Sequence, residues 1–283
     1  MDRKLTVAAI MVATIAVLAA SCTLPAPAER TWKVSPVSVE VVDQEDWDAG
    51  DEPYVIQLGF RSKLGVVGSS DSWVASQCTS GAGMPATDVG TPGTVVPIPP
   101  GGADIAFPEA QNVDIGDLLF ETAALEIFGT MTLVMERDVL IGTCAWTETI
   151  NATLPGLLRD SLNLLVAGAD VPPTEEDLIN LIVGLIDDFI AFVPGAIAIA
   201  VEGLGDPDDM LGTAIQIHLP TAGAFTNALD LGLTLAGLDN GIIEIEDIPG
   251  NIAIRVGKLL PSTAAFTFTG PGYEHIYTSR VTA

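Results

Sequence analysis

TEEDLINLIVGLIDDFIAFVPGAIAIAVEGLG, residues 174–205, is the longest strongly apolar run downstream of the N-terminal segment. Its flanks read as strands and turns, so it enters a β protein as a helical insertion. Pro172 and Pro173 stop whatever precedes it, and Thr174 is placed to accept from the backbone N–H three residues on. Glu175, Glu176 and Asp177 put negative charge on the first turn, where the helix dipole favours it. Asp177, Asn180, Gly184 and Asp187 recur at steps of three and four, forming one narrow polar stripe. Leu178, Leu181, Ile182, Leu185, Ile186, Phe189, Ile190 and Phe192 fill most of the remaining circumference. That face is wider than a surface helix shows, so the helix is expected to be covered on most sides. Pro194 suits the first turn of a second helix, whereas AIAIAV at 196–201 alternates and reads equally as a strand.

Two destinations compete for this segment: a sheet of the same protein, or a bilayer. Asp187 and Asp188 lie near its middle. An acid at bilayer depth costs about 2.5 to 3.5 kcal/mol, so packing on the protein's own strands is expected.

Immediately upstream, a helix is expected from near Thr153, with Pro155 in its first turn and Leu157, Leu158, Ser161, Leu162 and Leu165 on one face. The two segments make a helical hairpin. Further out the pattern is β. Val37–Val42 alternates, with Val37, Val39 and Val41 on one face, and Tyr54–Lys63 follows as a second strand. Residues 79–107 are rich in Gly, Pro, Ser and Thr, as in SGAGMPATDVGTPGTVVPIPPGG, and read as one long exposed loop tied at its base by Cys78. Ala123–Glu136 reads as a strand kinked at Gly129, and Ile215–His218 as another. Asp239-Asn240-Gly241 before IIEIED reads as a hairpin turn, because Asn-Gly accepts positive φ. Ala265–Thr269 and Tyr273–Thr282 flank Gly270-Pro271-Gly272 as a closing hairpin, with Tyr273, His275 and Tyr277 on one face. That stripe is either a binding surface or ordinary cross-strand packing.

The expected fold class is therefore α+β: a mainly antiparallel, β-sandwich-like sheet with a central helical-hairpin insertion. Residues 1–22 form a leader and 23–30 a linker; 31–144 make an N-terminal β half, 145–205 the insertion, and 206–283 a C-terminal β half completing the same domain.

The leader has a basic start at Arg3 and Lys4, an apolar run from Leu5 to Ala20, and small residues before Cys22. Leu18-Ala19-Ala20-Ser21-Cys22 resembles the lipobox of bacterial lipoproteins, although that family carries a large aliphatic residue where Ala19 stands. The resemblance implies acylation at Cys22. Cleavage after Ala28, in Ala26-Pro27-Ala28, and an uncleaved anchor are the alternatives, and all three imply export. Cys78 and Cys144 remain as a pair, which in an exported chain reads as a disulfide contributing about 4 kcal/mol in the chain-entropy model. Two separate buried thiols are the other reading.

Eleven Lys and Arg face thirty-seven Asp and Glu, a net charge of −26. That balance repels nucleic acid and anionic membrane surfaces, leaving membrane attachment to an N-terminal lipid or anchor. With 48% hydrophobic and only 17% charged residues, the chain is an apolar fold with an acidic surface.

Asp43, Glu45, Asp46, Asp48, Asp51 and Glu52 fall within ten residues and supply hard oxygen ligands of the kind calcium takes. The spacing is not that of an EF-hand: counted from Asp46, Gln57 stands where the bidentate Glu belongs. A solvated loop is the competing reading. Asp206, Asp208 and Asp209 form a second, smaller acidic cluster of the same two meanings. Only His218 and His275 are present, so a three-His metal site is excluded, and no His-Glu-x-x-His, Cys-x-x-Cys, Gly-x-Ser-x-Gly or phosphate-loop pattern occurs. No catalytic residue and no cofactor beyond calcium is assigned. The expected role is a secreted or lipid-anchored bacterial envelope protein that binds an envelope component or ligand, or serves structurally. A membrane-active protein using the apolar insertion and a carboxylate-dependent hydrolase are the alternatives.

Overall fold

The first strand shows how the molecule is layered. In β1 (Glu29–Asp43) the buried positions are Trp32, Val34 and Pro36, then Val39 and Val41, so the buried parity changes from even to odd. The change falls where the pairing register shifts, between Pro36 and Ser38, which is the mark of a β-bulge. The bulge turns Val37 off the face that Val39 and Val41 share, contrary to the simple alternation expected for it. This computed structural model describes residues 28–44, 50–80, 89–121, 123–137, 145–201, 210–238, 240–244 and 251–283.

Two sheets and one layer of helices are stacked. In the first sheet, β1 pairs antiparallel with β11 (Tyr273–Thr282), which forms a hairpin with β10 (Ser262–Gly270). The turn between them has Gly272 at φ 96°, as expected of a glycine there. The other edge of β1 is shared by β4 (Thr94–Pro97) and β5 (Ile105–Gln111). The expected single loop over 79–107 is thus corrected: it holds β4 and the start of β5, and Val96, Ile98 and Ala103 are buried. Prolines are admitted because these are short edge strands.

The second sheet runs β3 (Asp71–Ser76), β2 (Tyr54–Lys63), β6 (Glu126–Met135), β7 (Met210–Leu219), β9 (Asn251–Lys258), β8 (Asn240–Glu244). All neighbours are antiparallel except β7 and β9, which are parallel. The helix α5 (Gly223–Leu235) lies between β7 and β8 in the chain, so β8 follows a helix and the expected turn at Asn240-Gly241 has no strand to turn from. Those two residues open β8 instead, and Asp239 lies outside the described residues. The expected kink at Gly129 is also corrected, since the pairing of β6 with β2 passes through it unbroken. Its glycine has another cause: a Cβ there would stand 2.0 Å from the carbonyl oxygen of Gln216 on β7.

β6 and β7 are buried at every position. On one face Val55, Val134 and Ala214 meet Val39, Phe266, Phe268 and Tyr277 of the first sheet. On the other, Ile56, Leu58, Leu133 and Ile215 meet the helices. The inter-sheet layer also holds a polar cluster. Gln57 donates to the Val34 carbonyl at 3.1 Å and accepts from Thr132 at 3.0 Å and Tyr277 at 3.4 Å. Burial pushes the Tyr277 phenol well above its ordinary pKa, partly offset by Thr132, so it remains a donor.

The helical layer contains α3 (Ala145–Leu162), continued by a π-helical turn over Asn163–Ala167, and α4 (Glu175–Val201). Two short helices, α1 (Gln77–Ser80) and α2 (Ile115–Leu119), sit elsewhere. At the start of α4, the Asp177 N–H donates to Thr174 Oγ1 at 3.2 Å, the expected cap. α3 begins earlier than Thr153, and both Pro155 and Pro194 lie inside helices rather than at their starts. The reason is phase. Trp146, Ile150, Leu154, Leu158 and Leu162 are buried at steps of four across Pro155, and Val193, Ala196, Ile197 and Ala200 continue the buried face across Pro194. An internal proline costs about 3 kcal/mol, and each large apolar side chain buried beyond it returns about 1.5 to 3. AIAIAV is therefore helical.

Only one face of α4 is buried, not most of its circumference. Asp177, Asn180, Gly184, Asp187 and Asp188 face solvent together with Ala191, Gly195, Ala198 and Ile199. Phe189 meets Phe60 of β2 with ring centroids 5.0 Å apart. Phe189→Ala is expected to destabilise the protein by about 3 to 5 kcal/mol, while Asp187→Lys changes it by no more than about 0.5. Urea denaturation of the two variants distinguishes a packed helix from one resting loosely on the sheet.

Candidate functional site

A cavity of about 330 Å³ opens where β7 and β9, β10, and α5 come together. The parallel register sets Gln216 beside Arg255 and His218 beside Gly257, neighbouring strands being about 4.8 Å apart. The last pairing of β8 with β9 is Asn240 with Arg255, so β9 continues past its partner into Val256, Gly257 and Lys258. The cavity lies along this stretch. A Cβ built on Gly257 meets nothing within 4 Å, so that glycine leaves its wall open.

Polar atoms converge there. Gln216 is 1% exposed and His218 8%, and neither the Gln216 side-chain nitrogen nor His218 Nε2 finds a hydrogen-bond partner among the described residues. A buried donor left so costs about 1 to 3 kcal/mol, which is why such groups are rare away from working sites. Arg255 supplies a cation. Lys258 Nζ lies 3.5 Å from Asp230 Oδ2 on α5. Ile217, Leu233, Val256 and Leu260 make apolar walls. Burial, and secondarily the positive charge of Arg255, lower the His218 pKa from 6.5 to about 4, so its imidazole is neutral near pH 7. The assembled groups are hydrogen-bond donors, a fixed charge and greasy walls, the equipment of a small-molecule binding site.

A second cavity, about 770 Å³, is an apolar groove between Leu64 and Val66, α2 and its following turn, and Val171 and Leu178. It is larger, and Phe120 on its rim is 73% exposed. Among the described residues, no buried polar side chain without a partner lines it. The smaller cavity has the chemistry of recognition.

Three of the six expected calcium ligands fall among the described residues. Asp43 is exposed at the end of β1, Asp51 is fully buried with Oδ2 2.8 Å from His275 Nε2, and Glu52 is buried. Glu45, Asp46 and Asp48 lie outside the described residues, as do Asp206, Asp208 and Asp209. Among the described residues no group of three His, Cys, Asp or Glu side chains is placed to hold a metal ion. The Asp51–His275 contact instead ties the segment after β1 to β11. Both partners are sealed from solvent, so this pair offers no access to a substrate. Tyr273, His275 and Tyr277 face the second sheet as packing, not as an open surface. Cys78 lies on α1, whereas Cys22 and Cys144 lie outside the described residues.

Gln216 and Arg255 escaped the reading of the sequence because only the parallel pairing of β7 with β9 brings them together. A signal was available: Arg255 interrupts an apolar run, Ile252 to Val256, in a chain with only eleven Lys and Arg. The chain matches no protein-family profile, and no curated protein or solved structure shows significant similarity to it.

The His218 environment sets an acid limit on stability. Above pH 6.5 the imidazole is neutral whether folded or not; between 6.5 and about 4 the unfolded chain takes up a proton that the folded protein refuses. Stability is therefore lost across that window, by about 3 kcal/mol in total, with no further loss from this group below it. His218→Gln is expected to flatten that part of the pH profile, read from urea midpoints between pH 7 and pH 4.

Proposed function

We propose that the protein is an exported component of a bacterial cell envelope, secreted or held at the membrane by a lipid on Cys22, and that it works by binding a small ligand rather than by catalysing a reaction. The observation that carries the binding role is the convergence of Gln216 and His218, both buried and lacking hydrogen-bond partners among the described residues, on one cavity. Export rests on the leader, with Arg3 and Lys4 ahead of the apolar run to Ala20 and Cys22. A disulfide between Cys78 and Cys144 belongs to the same reading, since disulfides persist in oxidising compartments.

The alternative, a membrane-active protein, draws on α4: Glu175–Ala200 is long and apolar enough to cross a bilayer, with mean hydropathy 2.0. Against it, 44% of that window is already buried, and Asp187 and Asp188 would have to leave solvent for lipid.

Expressed as the full chain in a bacterial host, the protein is expected in the envelope or medium with its leader processed, and labelled by palmitate in a Cys22-dependent manner if lipidated. An intact leader on cytoplasmic protein would overturn export. Purified protein is expected to gain several degrees in Tm from a small-molecule extract of the producing cells, whereas Gly257→Phe, which fills the cavity, gains nothing. Dye release from neutral vesicles without such a gain in Tm would favour the membrane-active reading.

A further inference from the structure

We infer that the ligand is a compact organic monocarboxylate, its carboxylate held by the Arg255 guanidinium and the Gln216 side-chain amide and its short apolar part lying against Leu260 and Ala264. This rests on the binding role proposed above and names the chemistry of the ligand. The first argument is charge. Lys258 is offset by Asp230, His218 is neutral, and no carboxylate of a described residue forms a salt bridge with Arg255. Among the described residues the cavity therefore carries one net positive charge, in a protein whose overall charge is −26. One anionic group balances it. A phosphate dianion would bring a second charge without a partner, and an amine would meet the guanidinium with like charge.

The second argument is hydrogen bonding. A guanidinium presents a planar pair of N–H donors that matches the two oxygens of a carboxylate. The Gln216 amide, on the neighbouring strand at the same register, supplies another donor, and its nitrogen is one of the buried atoms without a partner among the described residues. Neutral His218 adds Nε2–H in one of its tautomers. A carboxylate accepts from all three; a ligand that only donates would satisfy neither Gln216 nitrogen nor Arg255. The third is size. About 330 Å³ is at the small end of ligand cavities, and Leu260 and Ala264 supply hydrocarbon on the Gln216 and Arg255 side of the sheet, which favours a few methylenes behind the charged head.

Isothermal titration of the purified full chain with pentanoate, pentanamide, pentylamine and inorganic phosphate tests the assignment. Pentanoate is expected to bind at least about tenfold more tightly than the other three, to weaken about tenfold in Arg255→Gln, and to lose affinity as salt is raised. Gly257→Phe, which adds bulk without removing charge, is expected to abolish the binding. Equal or tighter binding of pentanamide, pentylamine or phosphate overturns the carboxylate assignment and leaves the binding role standing. Pentanoate binding that survives both variants places it elsewhere and also overturns the assignment. No heat with any of the four compounds overturns the assignment and counts against the binding role with it.

Discussion

The second sheet has to be dry on both faces. β6 and β7 have no exposed position, and β2 has one exposed and one half-buried residue, both near its end. Strands of this kind are soluble only when covered twice. One cover is the five-stranded sheet built on β1 and β11; the other is the helical layer of α3, α4 and α5. The apolar length of α4 follows from that requirement. Its buried positions from Leu178 to Ala200 form the lid of a sheet, and its acids remain where water reaches them.

Double coverage also decides where a cavity can open. Neither face of β2 or β6 is open, β7 meets a cavity only toward its Gln216–His218 end, and the middle of the inter-sheet layer is filled by Phe266, Phe268, Tyr277 and the Gln57 cluster. Gly212 takes part in this filling, since a Cβ there would stand 2.2 Å from the Phe268 ring. Space reappears toward the flank, where β8 stops and β9 goes on. The polar residues Gln216 and His218 look out at that point, with Arg255 and Lys258 beside them. The polar cavity is thus a property of an unfinished edge in an otherwise closed stack.

Much of this architecture could be read from local pattern. The Thr174 cap, the strand alternation around Tyr273, His275 and Tyr277, and the Gly270-Pro271-Gly272 turn depend on neighbours in sequence, and each is found where its chemistry placed it. What failed depended on distant partners. Pro155 and Pro194 looked like helix starts because propensity was weighed without the sheet that rewards continuing the helix. β4 was hidden in a proline-rich run because an edge strand borrows its register from β1. The helix α5 was missed although Phe225, Leu229 and Leu233 stand at steps of four, and with it went the parallel pairing of β7 and β9. The candidate site was illegible for the same reason: its two central residues belong to strands joined through that helix.

The pairing of Lys33 with Thr282 brings together residues from opposite ends of the described chain. Loop closure on that scale is entropically slow, and a high proportion of distant contacts lowers folding rates. During synthesis β1 emerges long before β11 and has to wait for it with one hydrogen-bonding edge bare, a template for wrong partners. The early chain is consequently the part most in need of a holdase, and Lys33 and Glu40, spaced along that waiting strand, are charges suited to keeping other strands away.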